Sequence, residues 1–209
     1  MMSHLRPALV TLVLLTVITG VIYPLAVTGI AQTLWPVQAN GSLIIVEEKV
    51  VGSRLVGQPF VDPRYFWGRL SATGPHPYNG GASSGSNYGP RNPAARAVAA
   101  ARIAALRAAD PKTESPIPVD LVTASGSGLD PDVSPAAALF QVPRVARARG
   151  MDEAPVRRLV ARHIESRQLG ILGEPRVNVL ALNLALDALA RAETDRGATR
   201  GDHARRPLP

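Results

Sequence analysis

Apolar and charged positions are segregated in the first quarter of this chain, and periodic only after it. No charged residue occurs from Pro7 to Val46, and Pro7–Ile30 reads PALVTLVLLTVITGVIYPLAVTGI. At about 1.5 Å per residue this stretch makes a helix of roughly 35 Å, enough to cross a hydrocarbon core of ~30 Å. Gly20 and Pro24 are costly in a soluble helix and tolerated in a membrane one. The run exceeds the ~7–15 residue apolar core of a cleaved signal peptide, and Gly29-Ile30-Ala31 is a poor cleavage site. The pattern therefore predicts an uncleaved single-span anchor. Arg6 and the terminal amine precede it, while Glu47, Glu48 and Lys49 are the first charges after it. The positive-inside bias places residues 1–6 in the cytoplasm, 7–30 across the membrane and the domain at 31–193 outside.

Beyond the anchor the pattern shortens. Gln32–Gly52 reads as a stalk and first strand, with Leu43–Val46 as the buried-strand candidate. Ser53–Pro93 is rich in Gly, Pro, Ser and Asn, yet Phe60, Tyr65, Phe66, Trp67, Tyr78 and Tyr88 are spread through it. Disordered linkers rarely carry such aromatics, so this is an ordered, loop-rich segment. Asn92-Pro93 starts a helix over Ala94–Ala109 that stops at Asp110-Pro111. Pro118–Thr123 reads as a short strand. Ser134-Pro135 opens another helix, which Pro143 restarts and Gly150 caps. Asp152 N-caps a helix to about Gln168, and a last buried helix spans Val177–Ala192. The charged stretch 194–209 reads as a disordered tail. The predicted class is α+β: one N-terminal transmembrane helix, then a small loop-rich exterior domain with short strands and about four helices.

Composition narrows the chemistry. The 209 residues contain no cysteine, which excludes disulfide scaffolds, thiolate metal sites and cysteine nucleophiles. The net charge of +7 comes almost wholly from scattered arginines, with lysine only at Lys49 and Lys112. With aromatics at 4%, neither clustering nor base-stacking residues support nucleic-acid binding. Walker, HExxH and EF-hand patterns are absent, so no catalytic residue and no metal ligand is assigned.

Two polar runs remain. In Ser125–Asp132, Ser127 is a nucleophile candidate with His163 as its base. The Gly126-Ser127-Gly128 spacing is one residue short of a nucleophile elbow on each side, and a glycine-bearing turn is the better reading. Ser83–Pro90 combines small residues with turn formers and reads as an ordered loop.

The ordered series Gly57-Gln58-Pro59-Phe60, Tyr65-Phe66-Trp67-Gly68-Arg69, Tyr78-Asn79 and Ser86–Pro93 resembles the C subunit of the Kdp potassium-transporting ATPase. So do Val122–Pro131, Gln141–Ala146 and Gly173–Leu180. The resemblance runs from the anchor to about Leu189, leaving the stretch after Arg191 outside it. It implies a non-catalytic accessory subunit of a bacterial high-affinity potassium uptake complex. Its partners would be a channel-like potassium-binding subunit, a P-type ATP-hydrolysing subunit and a small single-span subunit. The chain would hold no cofactor of its own. ATP would be shared with the P-type subunit, whose ATP affinity it raises as a catalytic chaperone, and potassium would be carried by the complex.

The resemblance also marks Ser83, Ser84, Gly85, Ser86 and Asn87 as a nucleotide-related loop. Serine stands where one glycine of the family's compared stretch would be. An exterior location conflicts with contact to cytoplasmic ATP, and favours coupling through the complex instead. Tyr65, Phe66 and Trp67 on the exterior loop, with Gly20 in the span, are the candidate docking residues; the alternative for the aromatic trio is a core role. An anchored exterior serine hydrolase and a stand-alone binding module are the competing readings.

Overall fold

A computed structural model of the chain describes residues 2–204, with side chains over 4–192. It divides into two compact units, Met1–Ser53 and Arg54–Pro209.

In the first unit, α1 (Met2–Val17) and α2 (Tyr23–Leu34) are joined by a widened π-helical turn, Ile18–Ile22. Pro24 accounts for it. Proline has no N–H to give and its ring crowds the carbonyl four residues back, so the preceding turn opens, and Tyr23 N–H bonds to Ile18 O instead. His4–Leu34 is the one helix among the described residues long and apolar enough to cross a membrane. Its large apolar side chains are all exposed, so nothing within the unit buries them. The Thr19 and Thr33 hydroxyls bond the carbonyls of Leu15 and Gly29, each at 2.7 Å, which keeps polar hydrogens off that surface. The helix outlasts the expected Ile30 limit. It stops at Trp35, which the following Pro36 biases away from helical backbone. A short helix α3 (Pro36–Ala39) leads into a hairpin of β1 (Leu43–Val46) and β2 (Lys49–Ser53). Its two-residue turn, Glu47-Glu48, has both φ values positive, the geometry that matches strand twist. β1 is half-exposed, not the buried strand expected: Leu43 and Ile45 are exposed and Ile44 and Val46 only partly covered, as a two-stranded ribbon buries little.

The second unit is built on α4 (Pro93–Ala109), α5 (Pro135–Arg149), α6 (Glu153–Arg162) and α7 (Val179–Ala204). A small antiparallel sheet runs β3 (Asp132–Val133), β5 (Arg176–Asn178), β4 (Ile164–Glu165), with β5 central. α5 is the hub of the core. Ser134 caps it by accepting from Ala137 N–H at 3.0 Å, Pro135 takes the first helical position, and Gly150 ends it at φ +65°. Its inward residues Ala137, Ala138, Val142, Val145 and Ala146 pack with Val156 and Val160 of α6 and Leu182 and Leu186 of α7.

Several boundaries differ from expectation. Pro143 does not restart α5, which runs unbroken through it; burial along one whole side outweighs a proline cost of about 3 kcal/mol. Val119–Leu121 is a single helical turn, not a strand, and places Leu121 in the core. α6 ends at Arg162 because Ile164 and Glu165 leave it to pair with β5, and Asp152 makes no side-chain cap bond. Arg176–Asn178 is strand, so α7 starts at Val179, and it continues to Ala204. The side chains of the stretch 194–209, expected to be a disordered tail, and all of 205–209 lie outside the described residues.

Candidate functional site

The loop-rich segment 54–92 carries almost no regular structure, and side chains take over the bonds a sheet would supply. Phe66 N–H donates to Asn183 Oδ1 at 2.8 Å, and Asn183 Nδ2 returns a bond to Phe66 O at 3.0 Å. One residue on, Trp67 N–H donates to Gln141 Oε1 at 2.8 Å and Gln141 Nε2 donates to Trp67 O at 3.1 Å. Two buried amides, one on α7 and one on α5, thus act as short strand partners for an extended dipeptide. This satisfies backbone groups that would otherwise be buried unpaired.

The carbonyls just before the dipeptide are also occupied. Asp62 O accepts the Trp67 indole N–H at 2.9 Å, Pro63 O accepts Arg144 Nη1 at 2.5 Å, and Arg64 O accepts Arg149 Nε at 2.7 Å. Arg102 and Arg144 both stand over the Trp67 ring, their guanidinium carbons 4.9 and 4.6 Å from its centroid. Burial, then repulsion from Arg102, lowers the Arg144 guanidinium to about 10. Arg144 Nη2 also donates to Gln141 Oε1 at 2.6 Å, so the amide that holds Trp67 is itself oriented by charge.

Among the expected docking residues, Phe66 and Trp67 are core at 0% and 5% exposure. Tyr65 is half-buried, its hydroxyl 3.2 Å from Asp187 and its ring beneath Arg149. Gly20 is open, and a Cβ there would meet nothing within 4 Å.

The expected nucleotide-related loop lies against the turn at 125–128. Ser84 N–H and the Ser83 hydroxyl both donate to Ser127 O, at 2.9 and 3.0 Å. The glycines answer to that contact: a Cβ on Gly85 would lie 2.8 Å from Gly126 O, and one on Gly128 would lie 2.6 Å from Ser84 O. Gly128 has φ +69° and receives a further brace, the Ser71 hydroxyl donating to its carbonyl at 2.7 Å. Ser86 is half-buried, and Asn87 is exposed with φ +50°.

Ser127 and His163 are not brought together. The Ser127 hydroxyl accepts Leu129 N–H at 3.1 Å, and His163 Nδ1 lies 2.9 Å from Leu159 O within its own helix end. No cluster of three potential metal-ligating side chains occurs among the described residues.

The family model described as "KdpC: K+-transporting ATPase, c chain" matches residues 5–188. The chain belongs to this family. Among its relatives is a protein of Sorangium cellulosum, 66% identical over 187 residues, covering 90% of this chain and 98% of the relative. A protein of Methylococcus capsulatus is 64% identical over 189 residues, covering 90% and 100%. One from Herpetosiphon aurantiacus is 61% identical over 189 residues, covering 90% and 98%. Each is described as a potassium-transporting ATPase KdpC subunit. The match spans the apolar helix, the amide-held dipeptide and the 83–87 and 125–128 loops. Sequence reasoning missed Gln141 and Asn183 as backbone partners and Arg102 and Arg144 as ring partners. Nothing in composition separates a buried amide from a surface one.

Proposed function

We propose that this chain is the accessory subunit of an ATP-driven, high-affinity potassium uptake complex. It is anchored by one span with its amino terminus in the cytoplasm and its main domain outside. It is not an enzyme by itself. It is needed to assemble the channel-like potassium-binding subunit with the P-type ATP-hydrolysing subunit and a small single-span subunit, and it raises the ATP-binding affinity of the hydrolysing subunit. Potassium is the cargo of the complex, and ATP belongs to the P-type subunit.

The observation that carries this reading is the family match over 5–188 of a chain whose N-terminal helix exposes every large apolar side chain. Such a surface needs lipid and neighbouring helices to cover it. The 83–87 loop supports an indirect route to ATP affinity. Its Ser84 N–H and Ser83 hydroxyl, the groups that would cradle a phosphate, are already bonded to Ser127 O. The domain acts by holding the channel-like subunit in the state that favours ATP binding, which is coupling by differential contact.

Affinity purification of the full chain in mild detergent, followed by mass spectrometry, tests the reading. Stoichiometric recovery of a channel-like subunit and a P-type subunit is expected; recovery of the chain alone would overturn it.

A further inference from the structure

A cleft of about 160 Å³ opens beside the amide-held dipeptide, lined by Phe60, Val61, Arg69, Tyr78 and Arg102 among others. Its walls combine apolar side chains with two guanidinium groups and include no carboxylate. Arg69 is paired with Asp130 at 3.1 Å and bonds Ala124 O at 3.3 Å, yet its Nε is buried without a hydrogen-bond partner. Such an orphaned donor is uncommon, and leaving it unpaired is unfavourable, more so on a charged group.

Arg102 commits Nε to Leu121 O at 3.0 Å and Nη2 to Gly68 O at 2.8 Å, both neutral carbonyls. Neither Arg102 nor Arg144 forms an ion pair among the described residues. The buried Arg144 and the half-buried Arg102 therefore share the Trp67 ring without a direct ion pair, Arg144 feeling only the more distant Asp110 and Asp62, and burial pulls the Arg102 guanidinium below its ordinary value. Isolated buried charge is unfavourable unless a counter-charge arrives.

We propose that this cleft is a binding site for one compact oxyanion, of carboxylate or phosphate type, recognised by Arg69 and Arg102. Planar guanidinium groups suit such anions, and the apolar walls strengthen the attraction by excluding water. The volume sets the size class: small-molecule pockets run to about 300–1,000 Å³, so this one takes a single oxyanion group and not a nucleotide. The anion has two possible sources, a free inorganic anion or an acidic side chain reaching in from a partner subunit. The site in the isolated chain stands independently of the transport reading above; only the partner's side chain as its occupant rests on that reading.

The resident reporter is Trp67, since the chain has only one other tryptophan, Trp35. In full-length Trp35→Phe protein in detergent, Trp67 emission is followed while inorganic phosphate, or acetate, replaces chloride at constant ionic strength. A saturable change is expected with at least one of the two anions. Arg102→Lys, which keeps charge and loses the planar fork, should raise the half-saturating concentration at least tenfold. So should Val61→Glu, which places a carboxylate at an exposed lining position and leaves the core untouched. Saturation in the isolated chain but not in the assembled complex assigns the occupant to a partner's acidic side chain. Saturation in both assigns it to a free anion. A change linear in anion concentration, or a saturable one unaltered by both substitutions, would overturn the site.

Discussion

Gly68 and Tyr78 occupy the same space: a Cβ on Gly68 would lie 2.8 Å from the Tyr78 hydroxyl, with the next neighbours 3.9 Å away or more. That hydroxyl donates to Arg69 O at 2.6 Å. The glycine is present because the phenol must pass over it to reach that carbonyl. Gly57 makes room for the same ring, with Tyr78 Cε1 only 2.3 Å from where its Cβ would stand. Gly68→Ala should cost about 1–3 kcal/mol, as overpacking does. Tyr78→Phe alone should cost about 1 kcal/mol for the lost bond. In the double variant the alanine meets no hydroxyl, so the two penalties should fall short of their sum by more than about 0.5 kcal/mol. Urea unfolding of the full chain in detergent measures all three, and strict additivity would contradict the assignment.

The amide bridges give a second prediction. Asn183→Leu keeps the approximate volume but strips Phe66 N–H and C=O of their partner, and each buried orphan costs about 1–3 kcal/mol. A loss of about 2–4 kcal/mol is expected in the same unfolding assay. A loss below 0.5 kcal/mol, on the scale of a neutral surface change, would show that the bridge does not hold the segment.

The aromatic trio and Gly20 should fail in different ways. Phe66 and Trp67 are core, so replacing Tyr65, Phe66 and Trp67 together by alanine should collapse the domain, each large aromatic costing about 3–5 kcal/mol. A Cβ at Gly20 meets nothing within 4 Å, so Gly20→Leu should leave unfolding unchanged while reducing recovery of partner subunits. Circular dichroism and pull-down yield, measured on the same preparations, separate the outcomes. A folded triple variant would remove these residues from the core.

Acid should loosen the loop that precedes the dipeptide. Hydrogen bonds from the Arg64 side chain and then its N–H hold the Asp62 carboxyl at about 2, against an ordinary 3.8. A depressed carboxylate stabilises the fold above its unfolded value and loses that contribution as pH falls through the folded one, here between roughly pH 4 and pH 2. Asp62 O also receives the Trp67 indole, so Trp67 emission in Trp35→Phe protein should shift across that window. Asp62→Asn should lack this component. An identical acid profile in both would contradict it.

The parts legible in the sequence were those set by local rules. Asn92-Pro93 and Ser134-Pro135 begin helices because a side-chain oxygen caps an N–H and proline needs none; both caps are present, at 2.9 and 3.0 Å. The apolar run from Pro7 reads as a helix because nothing interrupts it but Pro24, which a π-helical turn absorbs. The hairpin turn was not legible: Glu47-Glu48 carries none of the Asn-Gly chemistry that announces positive φ at both turn positions. β4 and β5 were missed because two- and three-residue strands have no period to detect, and exist only where the chain returns to pair.

The site was half legible. Aromatics among glycines and prolines did announce an ordered segment, and Gly85 and Gly128 of the 83–87 and 125–128 loops do serve close backbone approach. What no residue spacing announces is long-range pairing. Asn183 lies 117 positions from Phe66, and Gln141 lies 74 from Trp67. Arg102 and Arg144 sit in runs that look like solvated helix surfaces, and only the fold turns them onto one indole ring.

The most direct measurement is the ATP concentration that half-saturates potassium-stimulated hydrolysis by the complex, compared with and without this chain. To keep assembly apart from affinity, the large subunits are co-reconstituted in lipid at fixed ratio and the full-length chain is then titrated in. The account predicts that half-saturation falls several-fold as the chain is added, and that Gly85→Ala, which disturbs the loop contact, changes it only in step with binding of the chain. Half-saturation unchanged at full occupancy of the chain would contradict the account.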